Sequence, residues 1–414
     1  MYENKNEPER ALLVEVDTGN DDAQASLAEL YELTRSAGAV PFGSMTQKRA
    51  APDAATCVGS GMIRQITDFA QSYGLNLFIF DCELSPTQIR NIERQSGVRT
   101  IDRTTLILDI FALRAKSREG KLQVELAQLQ YLLPRLGGRG GELSRLGGGI
   151  GTRGPGESKL ETDRRHIRRR IDSLSRQIRD VELHRGQISR CRKKNGFVTV
   201  AMIGYTNAGK STLMNALTGA GVPAENSLFC TLDPTARALK LPGGQTVMLI
   251  DTVGLVRRLP HHLVQAFRST LEQAAGADLL LNVCDASSPE APVHLEVARN
   301  LLADLGCGDR PVLPVLNKCD LIPEFGKIPM IGRAVRVSAK TGEGLDRLLA
   351  AIEEDLPAQP VRVHLLLPFS ESGLESKIRK NGSVESREYT QDGLLLTASI
   401  PSGLSETLRK FILE

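Results

Sequence analysis

Gly204-Tyr205-Thr206-Asn207-Ala208-Gly209-Lys210-Ser211-Thr212 decides the fold: the apolar run Phe197 to Ile203 leads into it, and Ser211 to Leu217 reads as the start of a helix. Strand, glycine loop and helix in that order form a phosphate-binding loop. Glycines at 204 and 209 let the backbone turn tightly enough to aim successive N–H groups at phosphate oxygens, and the helix N-terminus adds a positive dipole. In this reading Lys210 reaches the β- and γ-phosphates and Ser211 places its hydroxyl on Mg2+. The same context predicts a doubly wound sheet over Phe197 to about Leu356, with nucleotide at the carboxyl ends of its strands.

Working outward, Asp251-Thr252-Val253-Gly254 ends the apolar strand Val247 to Ile250, where a metal-facing carboxylate belongs. Asp251 is expected to hold Mg2+ through a water, and the Gly254 amide to meet the γ-phosphate. Between the two motifs lies Leu228-Phe229-Cys230-Thr231-Leu232-Asp233-Pro234-Thr235, a switch-like segment. Its Thr231 hydroxyl can complete the metal shell, with Thr235 the rival for that role. Lys210, Thr231 and Gly254 are the catalytic candidates, and Ser211, Thr231 and Asp251 the metal candidates.

The base is specified by Asn317-Lys318-Cys319-Asp320, which follows the buried-strand pattern Val312 to Leu316. Guanine presents N1–H and its 2-amino group as adjacent donors, and the Asp320 carboxylate can accept from both. Adenine offers no such pair, and an unpaired buried carboxylate is costly, so the arrangement rejects ATP. Asn317 is expected to tether this loop to the phosphate loop, the Lys318 stem to cover a base face, and Ser338-Ala339-Lys340 to offer a backbone amide to the guanine O6. The ligand is GTP. Leu255 occupies the position after Asp-x-x-Gly where a Ras-type enzyme has a water-positioning glutamine, so intrinsic hydrolysis is expected to be slow and to need a partner. Arg257 and Arg258 are placed either to add positive charge or to contact that partner. Asn207 is either a K+ ligand or an ordinary turn asparagine.

With 414 residues, 41% hydrophobic and 24% charged, the chain suffices for two or three domains with cores of their own. No apolar run approaches bilayer length, and the start Met1-Tyr2-Glu3-Asn4 resembles neither a signal nor a transit peptide, so a soluble cytoplasmic monomer is expected. Seven scattered cysteines without a C-x-x-C pair read as reduced packing residues, with Cys230 and Cys319 candidates for incidental reactivity. Six histidines show no metal spacing.

The net charge of +3 says little, but its distribution does. From Arg135 a glycine-rich stretch carrying Arg139, Arg145 and Arg153 runs to Gly156, followed by a long basic helix. Ile167, Ile171, Leu174, Ile178, Val181 and Ile188 form a seam four and three residues apart, matched upstream by Leu122, Leu126, Leu129 and Leu133. Two antiparallel helices zipped along these seams, with the basic glycine loop at the tip, are expected over 117–196 (loop 135–156). Arg164, Arg165, Arg168, Arg169 and Arg170 are placed on the outer faces. A solvated charged face is the plain alternative, but basic residues well outnumber acids here, and with Arg139, Arg145, Arg153, Arg164, Arg165 and Arg169 as candidate contacts the stripe favours structured RNA held through backbone and shape. DNA stays open as an alternative.

Residues 1–116 alternate strands (Ala11 to Val16, Asn76 to Phe80) with helical patterns (Asp21 to Ala37, Ser85 to Arg94), giving a small α/β domain. The tail, 357–414, alternates strand and helix around Asn381-Gly382 and Asp392-Gly393, suggesting a compact βαβ-like α+β module.

The run Gly147 to Glu157, followed by Lys159-Leu160-Glu161-Thr162-Asp163-Arg164-Arg165, resembles the signature of the HflX GTPases. So do Gly204 to Thr212, Leu228 to Thr235, and Asp251 to Gly254 with Leu259-Pro260-His261. The resemblance implies a translation-factor-related P-loop GTPase that binds the large ribosomal subunit, is stimulated by it, and splits stalled or idle 70S ribosomes in stress recovery. The competing reading is a nucleotide-gated RNA-binding module, or a ribosome-assembly GTPase, that hydrolyses GTP only for release.

Overall fold

The computed structural model describes residues 8–19, 22–136, 155–194, 198–219, 229, 235–242, 245–257, 276–304, 310–322, 333–356, 360–371, 373–381, 383–401, 405 and 408–413. Three sheets organise them. The first is parallel, in the order β2-β1-β3-β4, from β1 (Arg10–Asp17), β2 (Val40–Lys48), β3 (Leu77–Phe80) and β4 (Arg99–Asp102). Strand β3, Leu-Phe-Ile-Phe, is buried throughout, as a central parallel strand covered on both faces must be. Around it lie α1 (Ala23–Ser36), α2 (Ser60–Tyr73), α3 (Pro86–Ser96) and α4 (Arg103–Arg114). Their starts are fixed locally: Asp22 accepts from the N–H groups of Gln24 and Ala25, Ser85 and Gln88 close a reciprocal capping box, and Asp102 accepts from Thr105 N. The expected strands and helices of this region fall on β1, β3, α1 and α3, while β2, α2, β4 and α4 complete it.

Helices α5 (Arg118–Arg135) and α6 (Pro155–Lys194) pair along the expected seam, with Leu126, Leu174 and Ile178 buried and Leu122, Leu129 and Ile171 against them. Arg170 does not sit free on the outer face: its Nε and Nη2 bond both carboxylate oxygens of Glu125 across the hairpin, at 2.7 and 2.9 Å. Arg164 is half-buried, and Arg165 and Arg169 are exposed. The hairpin is not free-standing either. Val124, Ala127 and Tyr131 of α5 belong to the N-terminal core. Arg135, where the glycine stretch begins, reaches the Leu84 carbonyl at 2.9 Å and the Glu83 and Asp102 carboxylates at 3.2 and 3.6 Å. The carboxyl end of α5 is therefore docked on the N-terminal unit through Arg135. Arg139, Arg145 and Arg153 lie outside the described residues.

The second sheet, in the order β10-β9-β8-β5-β7-β6, comprises β5 (Thr199–Gly204), β6 (Thr235–Lys240), β7 (Thr246–Asp251), β8 (Leu279–Asp285), β9 (Val312–Asn317) and β10 (Val335–Arg336). Every pairing is parallel except that of edge strand β6. Helices α7 (Lys210–Thr218), α8 (Ala291–Asp304) and α9 (Leu345–Asp355) accompany it. The strand order reverses at β5, and such a switch point opens a crevice at the strands' carboxyl ends.

The third sheet, β12-β13-β11-β14, holds β11 (Pro360–Leu367), β12 (Ser383–Tyr389), β13 (Leu394–Pro401) and β14 (Ile412–Leu413), with α10 (Gly373–Asn381) between β11 and β12 in sequence. Both β11 and β12 run antiparallel to β13, which lies between them. The βαβ-like expectation thus resolves into a split βαβ unit in an otherwise antiparallel sheet. Among the described residues no helix is long and apolar enough to cross a membrane.

Candidate functional site

Strand β5 delivers Gly204 to the crevice at φ +149°, where a Cβ would run into the Val283 carbonyl of β8. Gly209, at φ +86°, lies against the Asn317 amide in the same way. These two positions demand glycine, which is why the motif carries it. Asn207 sits at φ +60°, a left-handed conformation asparagine tolerates. Helix α7 starts at Lys210 without a side-chain cap, leaving its first turn to an anion. The buried Lys210 Nζ donates to the carbonyls of Gly204 (3.0 Å) and Tyr205 (2.9 Å), so the ammonium is poised over the loop.

The segment after β7 crosses this loop closely. Leu255 N donates to Gly204 O at 3.0 Å, and Thr206 N to Leu255 O at 2.7 Å. A Cβ at Gly254 would lie 2.6 Å from Thr206 Cγ2 and 2.9 Å from Thr206 Cα. The Thr252 hydroxyl bonds the Met202 carbonyl of β5 at 2.6 Å. Leu255 buries its side chain with Tyr205 and Ala298 and is a packing residue here. The Ser211 hydroxyl donates to the fully buried Asp251 carboxylate at 2.7 Å. This hydroxyl and carboxylate, side by side at the helix start, are the hard-oxygen pair that suits Mg2+. Thr235 pairs with Asp251 in register as the first residue of β6. Cys230, Thr231, Leu232, Asp233 and Arg258 lie outside the described residues.

On the other flank, Asn317 Nδ2 donates to the Ala208 carbonyl at 2.8 Å while its Oδ1 accepts from Ala339 N at 3.0 Å. One amide thus joins three loops, as expected of a tether. The Ser338 hydroxyl holds Asp320 at 2.7 Å. Lys318, at φ +61°, pairs its ammonium with Asp285 at 2.7 Å, and Lys340 is exposed. Cys319 is not a reactive thiol: it is fully buried, donates to the Leu316 carbonyl at 3.2 Å, and burial pushes its pKa up.

Sequence reading missed a second layer that comes from the N-terminal unit. Glu29 of α1 accepts from Tyr205 Oη at 2.9 Å, Arg257 N at 3.1 Å and Arg103 Nη2 at 2.7 Å. Arg103 also bonds Asp81, and its Nη2 reaches the Arg257 carbonyl at 3.2 Å. Arg257 pairs with Glu290, and Tyr205 stacks on His294 with ring centroids 3.9 Å apart. Arg257 is thus engaged within the chain. Burial raises the Glu29 pKa, with Arg103, Tyr205 and Arg257 opposing. Burial also works against the Arg103 charge, but Asp81 and Glu29 outweigh it and the guanidinium titrates above its ordinary value. Burial lowers the pKa of His294. Phe229 packs edge-on against Phe111 of α4 at 4.6 Å, and Val253 and Val256 enter the same core. No periodicity marks Glu29 or Arg103; the only available signal was a charge, Arg103, leading into the largely apolar run Leu106 to Leu113.

One peptide bond upstream, Asp102 serves the hairpin. It bonds the Tyr131 hydroxyl, accepts from Leu84 N at 3.1 Å and lies 3.6 Å from Arg135. Asp102 therefore holds the root of the glycine stretch, and Arg103 holds the segment beyond β7.

A parallel sheet with a glycine loop at its switch point, a lysine over that loop and an asparagine-aspartate clamp beside it defines a P-loop GTPase. Family models match four successive segments: "GTP-binding GTPase N-terminal" at 24–112, "GTP-binding GTPase Middle Region" at 114–192, "50S ribosome-binding GTPase" at 199–318 and "HflX C-terminal domain" at 327–408. The chain belongs to the HflX family. It is 48% identical to GTPase HflX of Caldanaerobacter subterraneus over 416 residues, covering 100% of this chain and 96% of that protein. The GTPase HflX of Lacrimispora saccharolytica is 47% identical (99% and 97% covered), and that of Escherichia coli 41% (95% and 93%).

Proposed function

We propose that this chain binds and hydrolyses GTP at the loops described, docks on the large (50S) ribosomal subunit and its rRNA, and splits or rescues stalled 70S ribosomes under stress. The observation that carries this reading is the end-to-end likeness to relatives named GTPase HflX, with residues 199–318 matching a model described as a 50S ribosome-binding GTPase.

In this reading Lys210 leaves its two loop carbonyls for the β- and γ-phosphates, and the amides from Gly204 to Thr212 surround them. Ser211 and Asp251 would hold Mg2+, Asp251 through a water, with Thr231 completing the shell. Bound there, the ion supplies positive charge to the developing phosphate negative charge. Gly254 brings its amide to the γ-phosphate because nothing larger fits against Thr206. Asp320, oriented by Ser338, accepts the two guanine donors, and Asn317 keeps base and phosphate loops in register. With Leu255 packed inward, no glutamine positions water, so the intrinsic rate is low until a partner completes the site. K+ at Asn207 is an added element of the proposal, and equal turnover in K+ and Na+ buffers removes it.

The test is GTP turnover by wild type and by a deletion of 137–156, each with and without 50S subunits. Subunits stimulate the wild type steeply and the deletion weakly. Absence of stimulation overturns the ribosome assignment and leaves the RNA-binding module; stimulation that survives the deletion removes the glycine loop from the mechanism.

A further inference from the structure

Far in sequence from the nucleotide loops, Cys57 and Cys82 bring their sulfurs to 3.3 Å. Both are free thiols. Cys57 ends the β2–α2 connection and Cys82 follows β3, so the pair sits at the carboxyl edge of the N-terminal sheet. Closing the gap to a disulfide length of about 2.0 Å needs a displacement of little more than an ångström.

The surroundings hold the pair in place. Cys57 has the left-handed φ of +66°, uncommon for a side chain of any size, and is fixed by two backbone bonds with Asp53, of 2.9 and 2.7 Å. Helix α3 clamps the same loop, with Gln88 Nε2 on the Asp53 carbonyl at 2.7 Å and Asn91 Nδ2 on the Ala55 carbonyl at 2.9 Å. Cys82 is held by its neighbour Asp81, whose N–H bonds Val14 O at 2.9 Å and whose carboxylate bonds Ser26 and Arg103. Cys57 is buried and Cys82 half-buried, so a small oxidant reaches the pair from the Cys82 side.

We propose that Cys57 and Cys82 are a dithiol modification site that closes to a reversible intramolecular disulfide on exposure to hydrogen peroxide. The Cys57 thiolate attacks one peroxide oxygen, the O–O bond breaks and hydroxide leaves, giving a sulfenic acid. The Cys82 sulfur then attacks the sulfenic sulfur, the S–O bond breaks, and water departs with the Cys82 proton. Two thiols lose two electrons, and one peroxide becomes two waters. The Cys82 S–H bond to Cys57 depresses the Cys57 pKa, making it the thiolate-prone member, while Cys82 is raised. Paired thiols of this kind in a reducing compartment form transient rather than structural disulfides. Because Asp81 precedes Cys82 directly, the new bond ties the β2–α2 connection to the carboxylate that holds Arg103.

The full chain is treated with hydrogen peroxide, excess thiol is alkylated, and non-reduced peptides are mapped by mass spectrometry. The expected product is a peptide linked through Cys57 and Cys82, about two hydrogens lighter than the reduced pair and lost on treatment with dithiothreitol. In the Cys82→Ser protein the link disappears and a dimedone-reactive sulfenic acid accumulates at Cys57. If both thiols of the wild type remain alkylatable at doses that oxidise methionines of the same chain, or go singly to sulfinic acid without the link, the proposal is overturned.

Discussion

Replacing Arg103 by methionine tests whether the N-terminal unit is held to the nucleotide loops by charge. Arg103 is 2% exposed and bonds Asp81, Glu29 and the Arg257 carbonyl at once. Methionine fills most of the volume but removes the cation that the Asp81 and Glu29 carboxylates share. Removing one partner of a buried ion pair costs about 3–5 kcal/mol. At about 1.4 kcal/mol per tenfold, amide protection in α4 and β3 should fall by roughly two to three and a half orders of magnitude, read by hydrogen exchange as protection factors. The loss should depend on pH with a definite sign. Burial already raises Glu29 in the wild type against the opposing charge of Arg103, and without Arg103 it titrates higher still. The folded state then binds more protons than the unfolded state between the ordinary carboxylate range and the raised values, so stability falls as pH rises through that window. The variant should therefore recover protection on going from pH 7 to about 5.5, and the wild type less. A loss below about 1 kcal/mol that is the same at both pH values would refute the argument.

Three further substitutions probe the nucleotide loops and their contact with the N-terminal unit. Asn317→Ala removes the amide joining Ala208 to Ala339, and GDP affinity by titration calorimetry should fall about 10- to 150-fold, the equivalent of about 1.5–3 kcal/mol, with little change in hydrogen exchange of the N-terminal core. Gly254→Ala forces a methyl to within 2.6 Å of Thr206, and single-turnover hydrolysis should drop at least about tenfold while GDP affinity stays within about threefold. Phe229→Ala empties a buried site against Phe111 and should cost about 3–5 kcal/mol by analogy with other large-to-alanine core changes, seen as lost protection around Phe111 in α4. A loss confined to the G domain would place Phe229 elsewhere.

The nucleotide loops were legible because phosphate and guanine chemistry tolerates few residue types at fixed spacing. Gly204, Gly209 and Asn317 each answer a local demand that sequence order alone displays. The helical seam was legible for the same reason: Leu126, Leu174 and Ile178 obey a period. Strand β2 was not, since Val-Pro-Phe-Gly-Ser-Met-Thr-Gln-Lys is an edge strand whose inward face is only half-buried, and Pro41 with Gly43 on that face hides its pattern. The split topology of the third sheet was hidden too, because alternation of strand and helix does not say that β13 inserts between β11 and β12. The Glu29–Arg103 layer depends on two sheets meeting, and no window of sequence contains both. Arg170 shows the converse: helical period alone places its charge on the outer face, and only the fold locates its partner, Glu125, on the neighbouring helix.

Adjacent residues, Asp102 and Arg103, hold the root of the glycine stretch and the segment after Gly254. Binding free energies are state functions, so any coupling carried across that single peptide bond runs equally in both directions. If RNA docked at the hairpin root changes nucleotide affinity at the P-loop by some factor, nucleotide changes RNA affinity by the same factor. Measuring how GTP changes RNA affinity therefore also measures how RNA changes GTP affinity, and a mismatch between the two numbers would mean that one was taken away from equilibrium, as when GTP is hydrolysed during the titration.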